Sequence, residues 1–339
     1  MRGTPIADTR AAVVGTGLIG GSILLRLREA GIDAVGWDPD PTTRDRARRQ
    51  GLVHPDDLAD AVRDRDVVFL SGPLPTLPDT LLTVAAATGE HCLITDVGST
   101  KSTIAATAAE HGLTHRFVPG HPMAGTDRAG LTAATPDLLT GAPWVLCPPA
   151  DPPLDPFRTL AALLIEVFAA RVVPMSPQVH DTAAALASHI PHLLAGSLAG
   201  AVARSPLRDA VLALAAGSFR DGTRVAGTPS TRTADMLISN REFVLAQLKP
   251  VEGFLADLVA ALRDDDRTRL AEHYEQARRL RDALAARPQT PSERTFPATG
   301  PYAAELDFLL ELGRSGGHLS GCAVDGSTVT YRVYRPTGR

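Results

Sequence analysis

The chain has 339 residues, 44% of them hydrophobic and 21% charged, with a formal net charge of −4. That length accommodates two domains and a small appendage, and the composition is ordinary for a globular protein. With no basic excess to neutralise phosphates, nucleic acid is excluded as a main partner.

Residues 11–15 read as a buried strand that runs into Gly15-Thr16-Gly17-Leu18-Ile19-Gly20-Gly21-Ser22 and then a helical pattern from Ile23 to Ala30. This is a G-x-G-x-x-G turn between a strand and a helix, the setting in which the pattern binds a dinucleotide. Gly15 makes the tight turn, Gly17 lets the backbone approach a pyrophosphate, and Gly20 allows close packing of helix on strand. Leu18 and Ile19 open the helix, whose N–H groups and dipole hold phosphates. A second short strand, Ala34 to Asp38, ends in an acid placed to accept hydrogen bonds from the adenosine ribose. Asp38, with Asp40 beside it, repels a 2′-phosphate, and Arg44 is the nearest cation. NAD is therefore expected over NADP.

The alternation continues with strands at 66–70 and 91–96, followed by Ser71 and by Asp96-Val97-Gly98-Ser99-Thr100-Lys101. Ser71 and Asp96 are assigned to the cofactor set. Strand–helix repetition of this kind specifies a doubly wound parallel sheet. Arg116 to Val118 reads as another strand, leading to Gly120-His121-Pro122-Met123-Ala124-Gly125-Thr126-Asp127 on a loop at the carboxyl edge. His121 is a candidate general base, since an imidazole titrates near pH 6.5 when unperturbed. Strands at 143–147 and 171–174, with an amphipathic helix from Pro156 to Ala169 between them, close the first domain near Pro174 to Pro177.

From 178 the pattern turns to long helical periods. A segment over 178–203 contains His180-Asp181 and Ser188-His189-Ile190-Pro191-His192, with Pro191 expected to kink or loosen it. His189 and His192 share one helix face. A two-histidine metal site lacks a third ligand at suitable spacing, which leaves a hydrogen-bonded core pair or substrate contact. Helices follow at 206–216, 231–262 and 264–287. A glycine-punctuated break over 217–224 presents Arg220 and Arg224, suited to bidentate capture of a carboxylate. Val244 to Leu262 is apolar on more than one face, which points to a dimer interface. The chain then reads as loop through Pro297, a helix near 302–315 and strands at 318–323 and 328–334, an α-β-β order that fits part of a small regulatory module.

Cys92, Cys147 and Cys322 show neither metal-ligand spacing nor a disulfide framework, so a reduced cytoplasmic protein without a metal is expected. The N-terminus lacks the apolar core of a secretory signal, and no run of about 18 apolar residues marks a membrane span. The fold class expected is an α/β N-terminal Rossmann-type doubly wound parallel sheet, then an all-α helical domain, then a short α+β tail. The boundaries expected are 1–175, 176–288 and 289–339.

The glycine turn, Asp96 to Lys101, Gly120 to Gly125, Ser188 to His192 and Phe219-Arg220-Asp221-Gly222-Thr223-Arg224 stand in the order found in the prephenate and arogenate dehydrogenases of tyrosine biosynthesis. Over about 10–287 the chain resembles that family. The resemblance implies NAD-dependent oxidative decarboxylation of prephenate to 4-hydroxyphenylpyruvate and a homodimer formed through the helical domain. It implies His121 as the residue that draws the proton from the 4-hydroxyl, and Ser99 as its orienting partner. Arg224 matches the carboxylate-binding arginine, His189 and His192 match pocket histidines, and Asp127 stands near the side-chain end of the substrate. Gly217 and Thr233 complete the substrate set. Thr233 occupies the position where the family usually has tryptophan, so the pocket wall is altered. Arogenate and 4-amino-4-deoxyprephenate are the alternative substrates, and Asp127 would suit the ammonium of arogenate. Outside the class stand a β-hydroxyacid or imine reductase, disfavoured because histidines replace the usual helix lysine, and an NAD-sensing binding protein.

Overall fold

A computed structural model of the chain describes residues 8–125, 128–151, 153–285 and 287–337. The first half comprises β1 (Arg10–Val14), α1 (Leu18–Glu29), β2 (Asp33–Trp37), α2 (Pro41–Arg49), α3 (Leu58–Val62), β3 (Val67–Leu70), α4 (Leu77–Ala87), β4 (Leu93–Asp96), α5 (Ser102–Glu110) and β5 (Phe117–Val118). The five strands form a parallel sheet in the order β2-β1-β3-β4-β5. The chain leaves β1 in one direction for β2 and in the other for β3, so the switch point lies beside the end of β1. Alternate residues of β1 and β3 feed two cores. Ala11, Val13, Val67 and Phe69 pack with Ile23, Leu24 and Leu27, while Ala12, Val14, Val68 and Leu70 pack with Leu77, Leu81 and Val84. Burial on both faces is why these strands read as continuous apolar runs.

Then come β6 (Gly120–Pro122), β7 (Pro143–Leu146), α6 (Asp155–Phe168), β8 (Arg171–Pro174) and α7 (Pro177–Ala184). Two expectations are corrected here. His121 lies on a strand rather than a loop, because β6 pairs antiparallel with β7, His121 opposite Val145. The strands at 143–146 and 171–174 do not extend the parallel sheet either. They belong to a mixed sheet ordered β6-β7-β8-β10-β11-β9, whose last three strands come from the tail.

Next are α8 (Ile190–Ala203), α9 (Arg208–Leu214), α10 (Gly217–Thr223), α11 (Ser230–Ser239), α12 (Arg241–Arg263) and α13 (Arg267–Ala285). A π-helical turn, Ala185–His189, precedes α8, so the ladder widens directly before Pro191, which has no N–H to donate. The expected break at 217–224 is a short helix. The expected single helix over 231–262 is two, divided at buried Asn240, whose amide donates to the His189 ring. By length and a mean hydropathy of 1.2, Pro177–Ala203 would cross a membrane. The sequence shows no run of about 18 apolar residues there, and within this span His180 and Asp181 are buried.

The tail supplies β9 (Gln289–Pro297), α14 (Ala303–Arg314), β10 (His318–Asp325) and β11 (Thr328–Pro336). The stretch expected as loop through Pro297 is therefore a strand beside β11, its one deeply buried apolar anchor being Phe296. Contacts divide the chain into two compact units, Met1–Asp181 with Pro291–Arg335, and Thr182–Thr290 with Pro336–Arg339. The tail thus shares a unit with the parallel sheet. Leu309, Leu312, Leu319, Val329 and Tyr331 join the same core as Ala11 and Val13.

Candidate active site

The cofactor candidates meet at the carboxyl edge of the parallel sheet. Gly15 has φ +90°, and a Cβ there would lie 2.8 Å from the Ser71 carbonyl carbon, so β1 can turn against β3 only with glycine. A Cβ on Gly20 would lie 1.9 Å from the Gly15 carbonyl oxygen, whereas one on Gly17 would meet no atom within 4 Å. Gly17 is the N-cap of α1, and no side chain caps the amides of that first turn. Leu18 is buried, and partly buried Ile19 packs on the core. Asp38 accepts from Thr16 N through Oδ2 at 2.8 Å and from Asp40 N through Oδ1 at 3.0 Å, so its carboxylate is oriented beside the turn. Asp40 is the N-cap of α2, accepting from Thr42 and Thr43, and Arg44 is engaged by the Asp38 and Pro39 carbonyls. Ser71 follows β3, with its hydroxyl buried against the turn.

Asp96 departs from its expected place in the cofactor set. Its side chain is fully buried, paired with Lys101 Nζ, and accepts from Gly98 N at 2.8 Å and Gly120 N at 3.2 Å. Burial pushes this carboxyl upward, against the pull of Lys101 and the two amides. Lys101 Nζ also donates to Gly120 O at 2.7 Å. The buried pair therefore grips both sides of the Gly120 residue that precedes His121, a structural task rather than a cofactor contact.

His121 is partly exposed, and its Nδ1 lies 2.9 Å from His180 Nε2, the rings edge to face at 79°. His180 Nδ1 lies 2.7 Å from Asp181 Oδ1. Asp181 in turn accepts from Lys101 N and Ser102 N, both at 2.8 Å, so α7 caps the start of α5. Burial would raise the Asp181 carboxyl, but hydrogen bonds from His180, Ser102 and Lys101 hold it below the usual carboxylate range. Ser99 is half-buried on the turn leading into α5.

The helical unit carries the rest of the substrate candidates. His189 is buried, with Nδ1 accepting from Asn240 Nδ2 at 2.9 Å. His192 donates from Nδ1 to Ser188 O at 2.9 Å, and its Nε2 lies 3.4 Å from Thr228 Oγ1. The two histidines thus serve different neighbours. Arg224 is exposed at the head of a 3₁₀ turn, Arg224–Gly227; Gly217 opens α10, and Thr233 is half-buried in α11. Asp127 lies outside the described residues. Sequence reasoning assigned no role to His180, Asp181 or Lys101. The available signal was an adjacent His-Asp pair in an apolar helix and a lysine ending the Asp96 motif.

A glycine turn open to a dinucleotide at the switch point, an oriented acid after β2, and an imidazole at the same sheet edge define an NAD-linked oxidoreductase. The comparisons with known proteins agree. Residues 23–173 match the family domain described as prephenate dehydrogenase, nucleotide-binding domain, and 176–276 match its dimerization domain. Cyclohexadienyl dehydrogenase of Zymomonas mobilis is 33% identical over 279 residues, which cover 80% of this chain and 95% of that protein. Prephenate dehydrogenase of Bacillus subtilis is 32% identical over 285 residues, covering 81% and 76%. The crystal structure of A. aeolicus prephenate dehydrogenase with hydroxyphenyl propionate and NAD+ superposes with a TM-score of 0.76 at 25% identity, covering 84% of this chain and all of that one. The chain belongs to the prephenate and arogenate dehydrogenase family. It is an NAD-dependent oxidoreductase that performs the oxidative decarboxylation of prephenate-type cyclohexadienols characteristic of that family, and it carries the family's dimerization domain.

Proposed function

We propose that the substrate is prephenate and the product 4-hydroxyphenylpyruvate, formed by a cytoplasmic homodimer in tyrosine biosynthesis. The observation that carries this reading is His121, held at the dinucleotide edge by bonds to both its backbone neighbour and its ring. The first-turn amides of α1, with Gly15, Gly17, Leu18, Ile19 and Gly20, hold the pyrophosphate of NAD, and Asp38 holds the adenosine ribose. When bound, NAD accepts the hydride from C4 of the substrate. His121 takes the proton of the 4-hydroxyl, which raises electron density at C4; such general-base help contributes about 10²–10⁴-fold. Loss of CO₂ from the ring carboxylate leaves a phenolate, to which the proton returns. Arg224 is assigned to that carboxylate, His189, His192, Asp127, Gly217 and Thr233 to substrate contact, and Ser99 to orienting the hydroxyl.

Most of the Arg224 interaction exists already in the ground state, so Arg224→Ala is expected to raise KM more than it lowers kcat. The test of the substrate is an assay of prephenate, arogenate and 4-amino-4-deoxyprephenate side by side with NAD and with NADP. Prephenate with NAD is expected to give the highest kcat/KM. A higher value for either analogue overturns the substrate, and tighter use of NADP overturns the role of Asp38. Failure of all three alongside tight NAD binding would favour a sensing protein instead.

A further inference from the structure

Asp181 is an acceptor only, with its lone pairs taken by Lys101 N, Ser102 N and the His180 ring. The proton on the His180–Asp181 contact therefore belongs to His180 Nδ1. In a neutral imidazole the other nitrogen is then an acceptor, so His180 Nε2 receives a hydrogen bond from His121 Nδ1–H across 2.9 Å. That assignment leaves the basic lone pair of His121 on Nε2. We propose that His180 and Asp181 are positioning residues that fix the tautomer of His121 and stabilise the imidazolium formed when it takes the substrate proton.

The step balances within the proposed reaction. The substrate O–H bond breaks, a bond from that proton to His121 Nε2 forms, and the positive charge is shared across Nδ1–H to His180 and faces Asp181. The carboxylate stays ionised, and the proton returns to the phenolate after CO₂ leaves. The surroundings suit this role. His180 is 2% exposed and Asp181 1% exposed, so their interaction is little screened by solvent. The other charged groups packed here, Asp96 and Lys101, neutralise one another. Burial pushes the nearby Cys147 thiol far up, which keeps it uncharged. Two adjacent helix residues thus tie α7 to β6 through one ring and to α5 through one carboxylate. A merely structural His–Asp pair would not need its second ring nitrogen aimed at the catalytic candidate.

The inference rests on His121 acting as the base, and its test separates the two. The first arm needs no substrate. Nitrogen NMR of the full chain labelled with ¹⁵N-histidine should show both His180 and His121 as Nδ1–H tautomers at the pH of activity. An Nε2–H tautomer for His121 overturns the proposal, whatever the enzyme turns over. The second arm is kinetic. His180→Phe should lower kcat roughly tenfold to a hundredfold, with KM for prephenate and NAD nearly unchanged. It should also move the acid limb of the kcat profile to lower pH, because the protonated pair loses its link to Asp181 and holds its proton less tightly. His180→Gln, whose amide oxygen can accept from His121 Nδ1–H, should restore part of kcat and serves if the phenylalanine variant does not fold. An unchanged kcat and acid limb, or a fall in kcat matched by equal losses in melting temperature and NAD affinity, overturns the proposal.

Discussion

Gly20 leaves no room for a side chain, since its Cβ would lie 1.9 Å from the Gly15 carbonyl oxygen and 2.9 Å from the Ser71 Cβ. Gly20→Ala must push α1 off the sheet, so KM for NAD should rise at least about tenfold with a lowered melting temperature; both are read by NAD titration and thermal unfolding. A second residue-scale prediction concerns Arg158, which is 1% exposed and spans the join between α6 and the tail. It donates to both oxygens of Glu305 and to Ala298 O, and Tyr331 donates to Glu305 at 2.6 Å. Arg158→Met leaves Glu305 buried without its cation and should cost about 3–5 kcal/mol in urea unfolding. A loss below about 1 kcal/mol would contradict that. For Asp181 the folded carboxyl is depressed, so its contribution to stability is present above the ordinary carboxylate range and fades as pH falls through the folded value. Asp181→Asn should therefore narrow its stability deficit as the solution is acidified, measured by unfolding across pH 7 to about pH 3. At this scale the glycines, Asp38 and His121 were legible, because turns and sheet edges constrain residue type locally. The His180–Asp181 and Asp96–Lys101 pairings were not, since their partners lie on different elements and only the fold brings them together.

Among the elements, α14 shows how the tail is held. A Cβ on Gly313 would lie 1.7 Å from Pro174 O, so the helix presses on the end of β8, directly ahead of α7 and its His180. Leu319 pairs with Val172, which makes β10 the neighbour that covers the far edge of β8. Ending the chain at Thr290 would bare that edge and the apolar residues Val172, Phe157 and Leu160, so the shortened protein should be recovered as aggregate. A soluble, active truncation would show the tail to be dispensable. The α-β-β pattern of the tail was readable from its periodicity, but β9 was not. Gln289–Pro297 carries two prolines and two charges, and only pairing with β11 makes it a strand. The division of 231–262 at Asn240 was hidden for a similar reason, since it depends on a bond to His189 fifty-one residues earlier.

For the molecule as a whole, the helical unit exposes apolar side chains, among them Leu207, Leu214, Ile238 and Leu280, the last 76% exposed. Together with the family's dimerization domain this leads us to expect a homodimer by sedimentation, and a monomer at micromolar concentration would contradict it. Five motifs in one order made the family readable from the sequence. The joining of the tail to the first unit was not readable, because nothing local marks a strand as the neighbour of one more than a hundred residues away. The central claim is that His121 is the base for an NAD-linked decarboxylating oxidation, and the most direct measurement is steady-state turnover of prephenate by His121→Asn. kcat is expected to fall by about 10²–10⁴-fold with a modest change in KM. Turnover close to that of the unaltered enzyme would contradict it.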